Sequence, residues 1–275
     1  MKKRGIIILT ATLAMAATLS LMIKDVTSSA NATSQVYTSY GGGFGFGLVR
    51  DGEGEADLYS FSDEEFNSGK VNISIFYEGA GEREFTITPL LNGEPISVNF
   101  NNEGFRYEYN IDIRNGQNIV EIETDNIGDG ILSFIAKGDD TVFGIYGYSN
   151  YENIDMGIRK IKYDRLDDAN SKFNYDIVGY RGEETEYSFK VKLDEERFKG
   201  DNYGYKVFID NKLVKIDGKW GKIFKRNKDV LQDTFKFNLP KERGQYDLYI
   251  VRSINPISNV NPHEEIIFKS KIIVN

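Results

Sequence analysis

A period of two, repeated along most of the chain, constrains the fold more than any other feature of the sequence. "RYEYNIDI" puts Tyr107, Tyr109, Ile111 and Ile113 on one face and Arg106, Glu108, Asn110 and Asp112 on the other. That is the pattern of a strand with one buried face. The alternation recurs in "KVNISIFY" (Val71, Ile73, Ile75, Tyr77), "REFTITPL" (Phe85, Ile87), "NIVEIET" (Val120, Ile122), "DTFKFNL" (Phe235, Phe237, Leu239) and "QYDLYIV" (Tyr246, Leu248, Ile250). Past the N-terminal segment, helical spacing is confined to "DRLDDANSK", 164–172, where a short helical turn is expected. Between the runs stand Asn92-Gly93, Asn115-Gly116, Asp210-Asn211 and Asp217-Gly218, dipeptides that accept the left-handed backbone of tight hairpins. Many short strands joined by such turns predict an all-β chain of antiparallel sandwiches or barrels.

The N-terminus predicts export. Lys2, Lys3 and Arg4 precede an uncharged, mostly apolar run from Ile6 to Ile23, and a polar segment follows that ends in Ala30-Asn31-Ala32. This is the order of a secretory signal peptide over 1–32, with cleavage expected after Ala32. The competing reading is an uncleaved membrane anchor, because a hydrocarbon core needs only about 20 apolar residues. No cysteine occurs anywhere, so lipidation at the cleavage site is excluded and stability must come from the core rather than from disulfides. A cysteine-free chain behind a long apolar signal has a bacterial composition. The product is expected to be secreted or envelope-associated, with no membrane span after cleavage.

The 243 residues after Ala32 exceed a typical domain of about 100–150 residues, so two units are expected. A weak internal repeat agrees. "FTITPLLNGEPI" followed by "FRYEYNIDIRNGQNIVEIETDN" has a counterpart in "YKVFIDNKLVKI" followed by "DTFKFNLPKERGQYDLYIVRSIN". The boundary is placed near "SNYENIDMG", giving units over 33–155 and 156–275. Such modules resemble the immunoglobulin-like and jelly-roll sandwiches of exported bacterial proteins, which implies two tandem antiparallel β-sandwiches. Charge divides the halves: 33–150 carries 6 Lys and Arg against 20 Asp and Glu, a net of −14, whereas 151–275 carries 24 against 21, a net of +3. The acidic half repels polyanions, so nucleic acid is not an expected partner there.

In the second half, "NKLVKIDGKWGKIFKRNK" gathers Lys212, Lys215, Lys219, Lys222, Lys225 and Arg226 around Trp220. Cations interleaved with an aromatic suit an anionic wall or matrix glycan. The plainer reading is a lysine-fringed hairpin with Leu213 and Ile216 on one strand, Ile223 and Phe224 on the next, and a turn at Asp217-Gly218, its lysines guarding a sheet edge.

"GGGFGFGLVRDGEGEAD", 41–57, lacks the Lys-Ser or Lys-Thr of a phosphate loop and leads into no helix. Read from Asp51, an EF-hand needs Gly at its sixth place and Glu at its twelfth, but Ala56 and Ser62 stand there. A less stereotyped calcium site remains open for Asp51, Glu53, Asp125, Asp129, Asp139 and Asp140, all in expected loops; a solvated acidic surface explains them equally. The glycine-aromatic stretch itself reads as a strand with Phe44, Phe46 and Leu48 on one face, matched by "FGIYGYSNY", 143–151. Both are expected at the margins of the first sandwich, packed beside each other.

Catalysis finds little support. The only histidine, His263, follows Pro262 in an expected loop, with no second histidine for a zinc site and no Gly-x-Ser-x-Gly elbow elsewhere. Three function classes stay open. The adopted reading is a non-catalytic exported protein, cofactor-free unless calcium binds, whose partner is envelope or matrix polysaccharide or a surface protein. The others are a subunit that assembles by strand addition and a secreted hydrolase.

Overall fold

The computed structural model describes residues 43–49, 63–125, 130–138, 140–149, 159–160, 176–192, 203–224, 230–254, 256 and 263–275. The segment expected to be a signal and the turn expected over 164–172 lie outside them, as does the expected boundary between the units. None of the described helices is long and apolar enough to cross a membrane.

The first half contains β1 (Phe44–Leu48), a six-residue helix α1 (Asp63–Ser68), β2 (Lys70–Tyr77), β3 (Arg83–Leu91), β4 (Glu94–Pro95), β5 (Val98–Phe100), β6 (Phe105–Arg106), β7 (Tyr109–Ile113), β8 (Gly116–Glu123), β9 (Gly130–Gly138) and β10 (Thr141–Ser149). These strands form two antiparallel sheets. The first has the order β1-β2-β8-β5-β6, and the second the order β10-β9-β3-β4 with β7 also on β3. Alternation turns Phe46, Ile73, Ile75, Val120 and Ile122 of the first sheet toward Phe85, Ile87, Phe134, Phe143 and Ile145 of the second, closing one sandwich core. As expected, β1 and β10 are sheet margins, and they meet where Phe46 stacks on Phe143 at 5.4 Å between ring centroids.

The second half supplies β11 (Arg159–Lys160), β12 (Ile177–Gly179), β13 (Glu184–Lys192), β14 (Tyr203–Ile209), β15 (Lys212–Val214), β16 (Lys222–Phe224), β17 (Val230–Asn238), β18 (Gly244–Ile254) and β19 (His263–Val274). The third sheet runs β11-β16-β14-β18-β19-β12 with β15 also on β14, and the fourth is the pair β13-β17. Phe189, Leu231, Phe235 and Phe237 of the fourth sheet pack on Tyr205, Val207, Leu248, Ile250 and Ile272 of the third. The sequence pattern predicts antiparallel pairing throughout. The third sheet is mixed, because its marginal strands β11 and β12 run parallel to β16 and β19.

Local expectations also need correcting. "RYEYNIDI" is not one strand, since β6 belongs to the first sheet and β7 to the second. The chain changes sheets at Tyr107, which is 62% exposed instead of sharing the core face of Tyr109. Asn115-Gly116 likewise joins β7 to β8 across the two sheets rather than closing a hairpin, and the Asn115 carboxamide oxygen there accepts the Gly79 N–H at 3.1 Å. Asn92-Gly93 does close the β3–β4 hairpin, both residues having positive φ. His263 opens β19, paired with Ile254, rather than sitting in a loop.

The central strands of the second and third sheets are buried on both faces. β9 is buried at all nine positions and β14 at all seven, because their outer faces pack on each other. Leu90, Ile131, Ile135, Val142 and Tyr146 on one side meet Phe208, Leu213, Tyr249 and Val251 on the other. The four sheets therefore stack as layers. Within this junction the Glu264 carboxylate accepts from Tyr146, from Lys206 Nζ at 2.9 Å and from Ser253 Oγ at 2.8 Å. Gly144 makes room for it, since a Cβ there would stand 2.9 Å from Glu264 Cγ.

Candidate functional site

An open cleft of about 500 Å³ lies where the two sandwiches meet. One wall comes from β3 and β7, which present Glu84, Thr86 and Asn110; the other comes from the β14–β15 turn and the start of β15 (Asp210, Asn211, Lys212), and from the end of β17, the β17–β18 connection and the start of β18 (Asn238, Pro240, Lys241, Glu242, Tyr246). The turn is pinned in place. Asp210 has positive φ, its N–H donates to the Asp247 carbonyl at 2.7 Å, and its carboxylate accepts the Asp247 N–H at 2.8 Å. Lys137 Nζ reaches the Asn211 carboxamide oxygen at 3.5 Å from the opposite sandwich.

The polar groups in this cleft are oriented before any ligand arrives. Thr86 Oγ1 donates to the Asn110 carboxamide oxygen at 2.9 Å, leaving the Asn110 amide as a donor. The Tyr246 hydroxyl donates to the Glu242 carbonyl at 3.0 Å, and its half-buried ring rests against the second core. Glu108, beside this wall, has its carboxyl pushed above the ordinary range by burial, and the Lys212 charge pulls partly the other way. Amides, a hydroxyl, ammonium groups and an aromatic edge at a junction between sheets form a lining suited to hydroxyl- and carboxylate-bearing molecules.

The basic segment does not act as one surface. Lys212, Lys215 and Lys219 are exposed, but Lys222 is 4% exposed. Its ammonium lies 2.7 Å from both Asp217 and Asp233, so it offers nothing to a polymer. Trp220 is half-buried against the junction cluster, with Lys215 Nζ 5.0 Å from its ring centroid, which occupies one face expected to stack on sugar. Lys225 and Arg226 lie outside the described residues. The hairpin reading changes too: the Asp217-Gly218 turn forms, bridging Ile216 to Lys219, but β15 and β16 each pair with β14 rather than with each other.

Of the calcium candidates, Asp51, Glu53, Asp129 and Asp139 lie outside the described residues, and Asp125 is exposed. Asp140 accepts from Lys269 Nζ at 2.9 Å and from the Tyr249 hydroxyl at 3.1 Å. The Lys269 hydrogen bond is the main cause holding the Asp140 carboxyl below its ordinary pKa. That carboxylate ties the first sandwich to the second. Among the described residues no three His, Asp or Glu side chains gather as a metal site.

Glu84, Thr86, Asn110, Asn238 and Tyr246 carried no signal in the sequence. They read as ordinary strand and turn residues until the two halves are folded against each other.

No protein-family model matches the chain, and no curated protein sequence does. Among solved structures the chain is similar to CBD12 of CALX1.2, at 10% identity over 74% of this chain and 81% of that one, with a TM-score of 0.24. It is also similar to the C-terminal domain of the Streptococcus pyogenes antigen I/II-family protein AspA, at 10% identity over 84% and 99% with a TM-score of 0.23. A third similarity is to the BSP domain of a biofilm associated protein, at 8% identity over 88% and 61% with a TM-score of 0.22. At these TM-scores none of the three carries an argument about the ligand or role of this chain.

Proposed function

We propose that this chain is an exported, non-catalytic protein of the cell surface or matrix that binds envelope or matrix glycan in the cleft between its two sandwiches. The observation that carries the reading is that cleft, of about 500 Å³ and lined from both halves by Asn110, Asn211, Lys212, Asn238, Lys241 and Tyr246. Its size falls within the range of ligand sites, roughly 300–1,000 Å³, and its lining is rich in side chains that exchange hydrogen bonds with sugar hydroxyls and carboxylates. The signal over 1–32, the acidic module over 33–155 and the mildly basic module over 156–275 belong to the same proposal.

Co-sedimentation of the exported protein with isolated cell envelopes at low and high salt tests it. Retention is expected for the wild type and is expected to fall for Lys212→Glu and for Asn110→Ala. Retention unchanged in both variants would remove the cleft from consideration.

A further inference from the structure

Beyond the cleft, we infer that the uncovered shoulder of the third sheet docks the acidic sandwich of a second copy of this chain, head to tail. The first sandwich covers only part of this sheet's outer face, around Tyr249 and Val251. On the same face, further along β19 and onto β12, Val178 and Ile273 are register partners across the two strands. They are 64% and 39% exposed, and Tyr180, two residues beyond Val178, is 71% exposed. Alternation explains why these side chains point outward: their neighbours Ile177 and Ile272 fill the second core. An apolar row of this size on a β-branched sheet face, with an aromatic at its end, is a surface that association would cover.

Charge selects the occupant. Exposed Arg181 and Lys271 flank the row, and Arg243 stands two residues before Gln245, the register partner of Ile273; these three cations outnumber Glu183, whose exposed carboxylate accepts the Tyr180 N–H at 2.8 Å at the end of the row. The same chain supplies the complement, since 33–150 carries a net charge of −14. The open face of the first sheet has a groove of about 350 Å³ lined by Glu65, Glu121 and Glu123 among asparagines. Lys70 neutralises part of it, its Nζ lying 3.0 Å from Glu123. Shoulder and groove are different patches, so the contact is heterologous and each copy retains one open patch for the next.

Sedimentation velocity of the exported protein over a range of concentrations tests this, at low and at high salt. The expected result is a mass that climbs with concentration past the dimer, more steeply at low salt. Tyr180→Asp and Val178→Ser, both outward-facing, are each expected to weaken association about tenfold. Lys271→Glu is expected to weaken it as well, and mixing that variant with Glu121→Lys to restore it. A monomer at every concentration, a symmetric dimer that stops at two, or association unchanged by the shoulder variants would each overturn the inference.

Discussion

Lys212 and Lys222 belong to the same basic segment, yet their surroundings give them opposite work. Lys222 holds Asp217 and Asp233 together from inside the fold; replacing it by Met leaves two carboxylates facing each other without a cation. Lys222→Met should cost about 2 kcal/mol, less than a fully buried pair because both acids stay partly hydrated, and urea unfolding will measure it. Lys212 is exposed, so Lys212→Met should change stability by no more than about 0.5 kcal/mol. What it should change is Glu108. Burial raises that carboxyl and Lys212 opposes the rise, so NMR titration of the variant should find Glu108 higher than in the wild type. The sign for stability follows: a raised folded pKa makes the contribution of Glu108 fully present below its unfolded value of about 4.3 and lost as pH rises through the folded value. The candidate site was legible in the sequence only this far. Composition marked the lysines, but whether a lysine meets solvent or two aspartates depends on residues from other strands, such as Asp233, that no local pattern connects to it.

At the scale of elements, β10 shows how much a strand's alternation reveals and where it stops. Phe143 and Ile145 face the first core, as a period of two predicts. Tyr146 on the other face is buried as well, because a second sandwich covers it. The strands of one-sided sheets were legible for this reason: β2 coincides with "KVNISIFY", and its alternating Val71, Ile73, Ile75 and Tyr77 all belong to one core. β7 was misread at its start, since nothing in "RYEYNIDI" signals a change of sheet. The glycines of β10 carried a partial signal, a relieved face with no indication of what fills it. Glu264 fills it at Gly144, where a Cβ would meet both Glu264 Cγ and Tyr146 Cε2 at 2.9 Å. Gly144→Ala should therefore destabilise by about 1–3 kcal/mol, the usual range for overpacking, although alanine suits a strand no worse than glycine does. Thermal unfolding followed by circular dichroism is the measurement, and a variant as stable as the wild type would mean that the junction yields easily.

For the whole molecule, the junction decides whether two sandwiches behave as one body. Its apolar cluster draws on both halves, and at its margin Asp140 accepts from Lys269. Asp140 is depressed and Lys269 is raised. That clamp is complete above the ordinary Asp value of about 3.9 and below the ordinary Lys value of about 10.4, and it weakens as pH falls through the folded Asp value or rises through the folded Lys value. Deeper in, Tyr146 is held well above its ordinary pKa, mainly by burial and then by Glu264, so it remains a donor to that carboxylate throughout this window. Removing the carboxylate with Glu264→Ala leaves the Lys206 ammonium, 5% exposed, with Ser253 but no counter-charge, a defect that weighs on the junction rather than on either core. Trp220, the only tryptophan, packs against the junction cluster and so reports on it separately from circular dichroism, which reports on all the sheets. In the wild type the two signals should change together during urea unfolding, as one cooperative unit requires. In Glu264→Ala the fluorescence change should come first, at lower urea, while the sheet signal persists. Coincident transitions in the variant would show that apolar packing alone holds the layers together and that the buried polar network serves only to set their register.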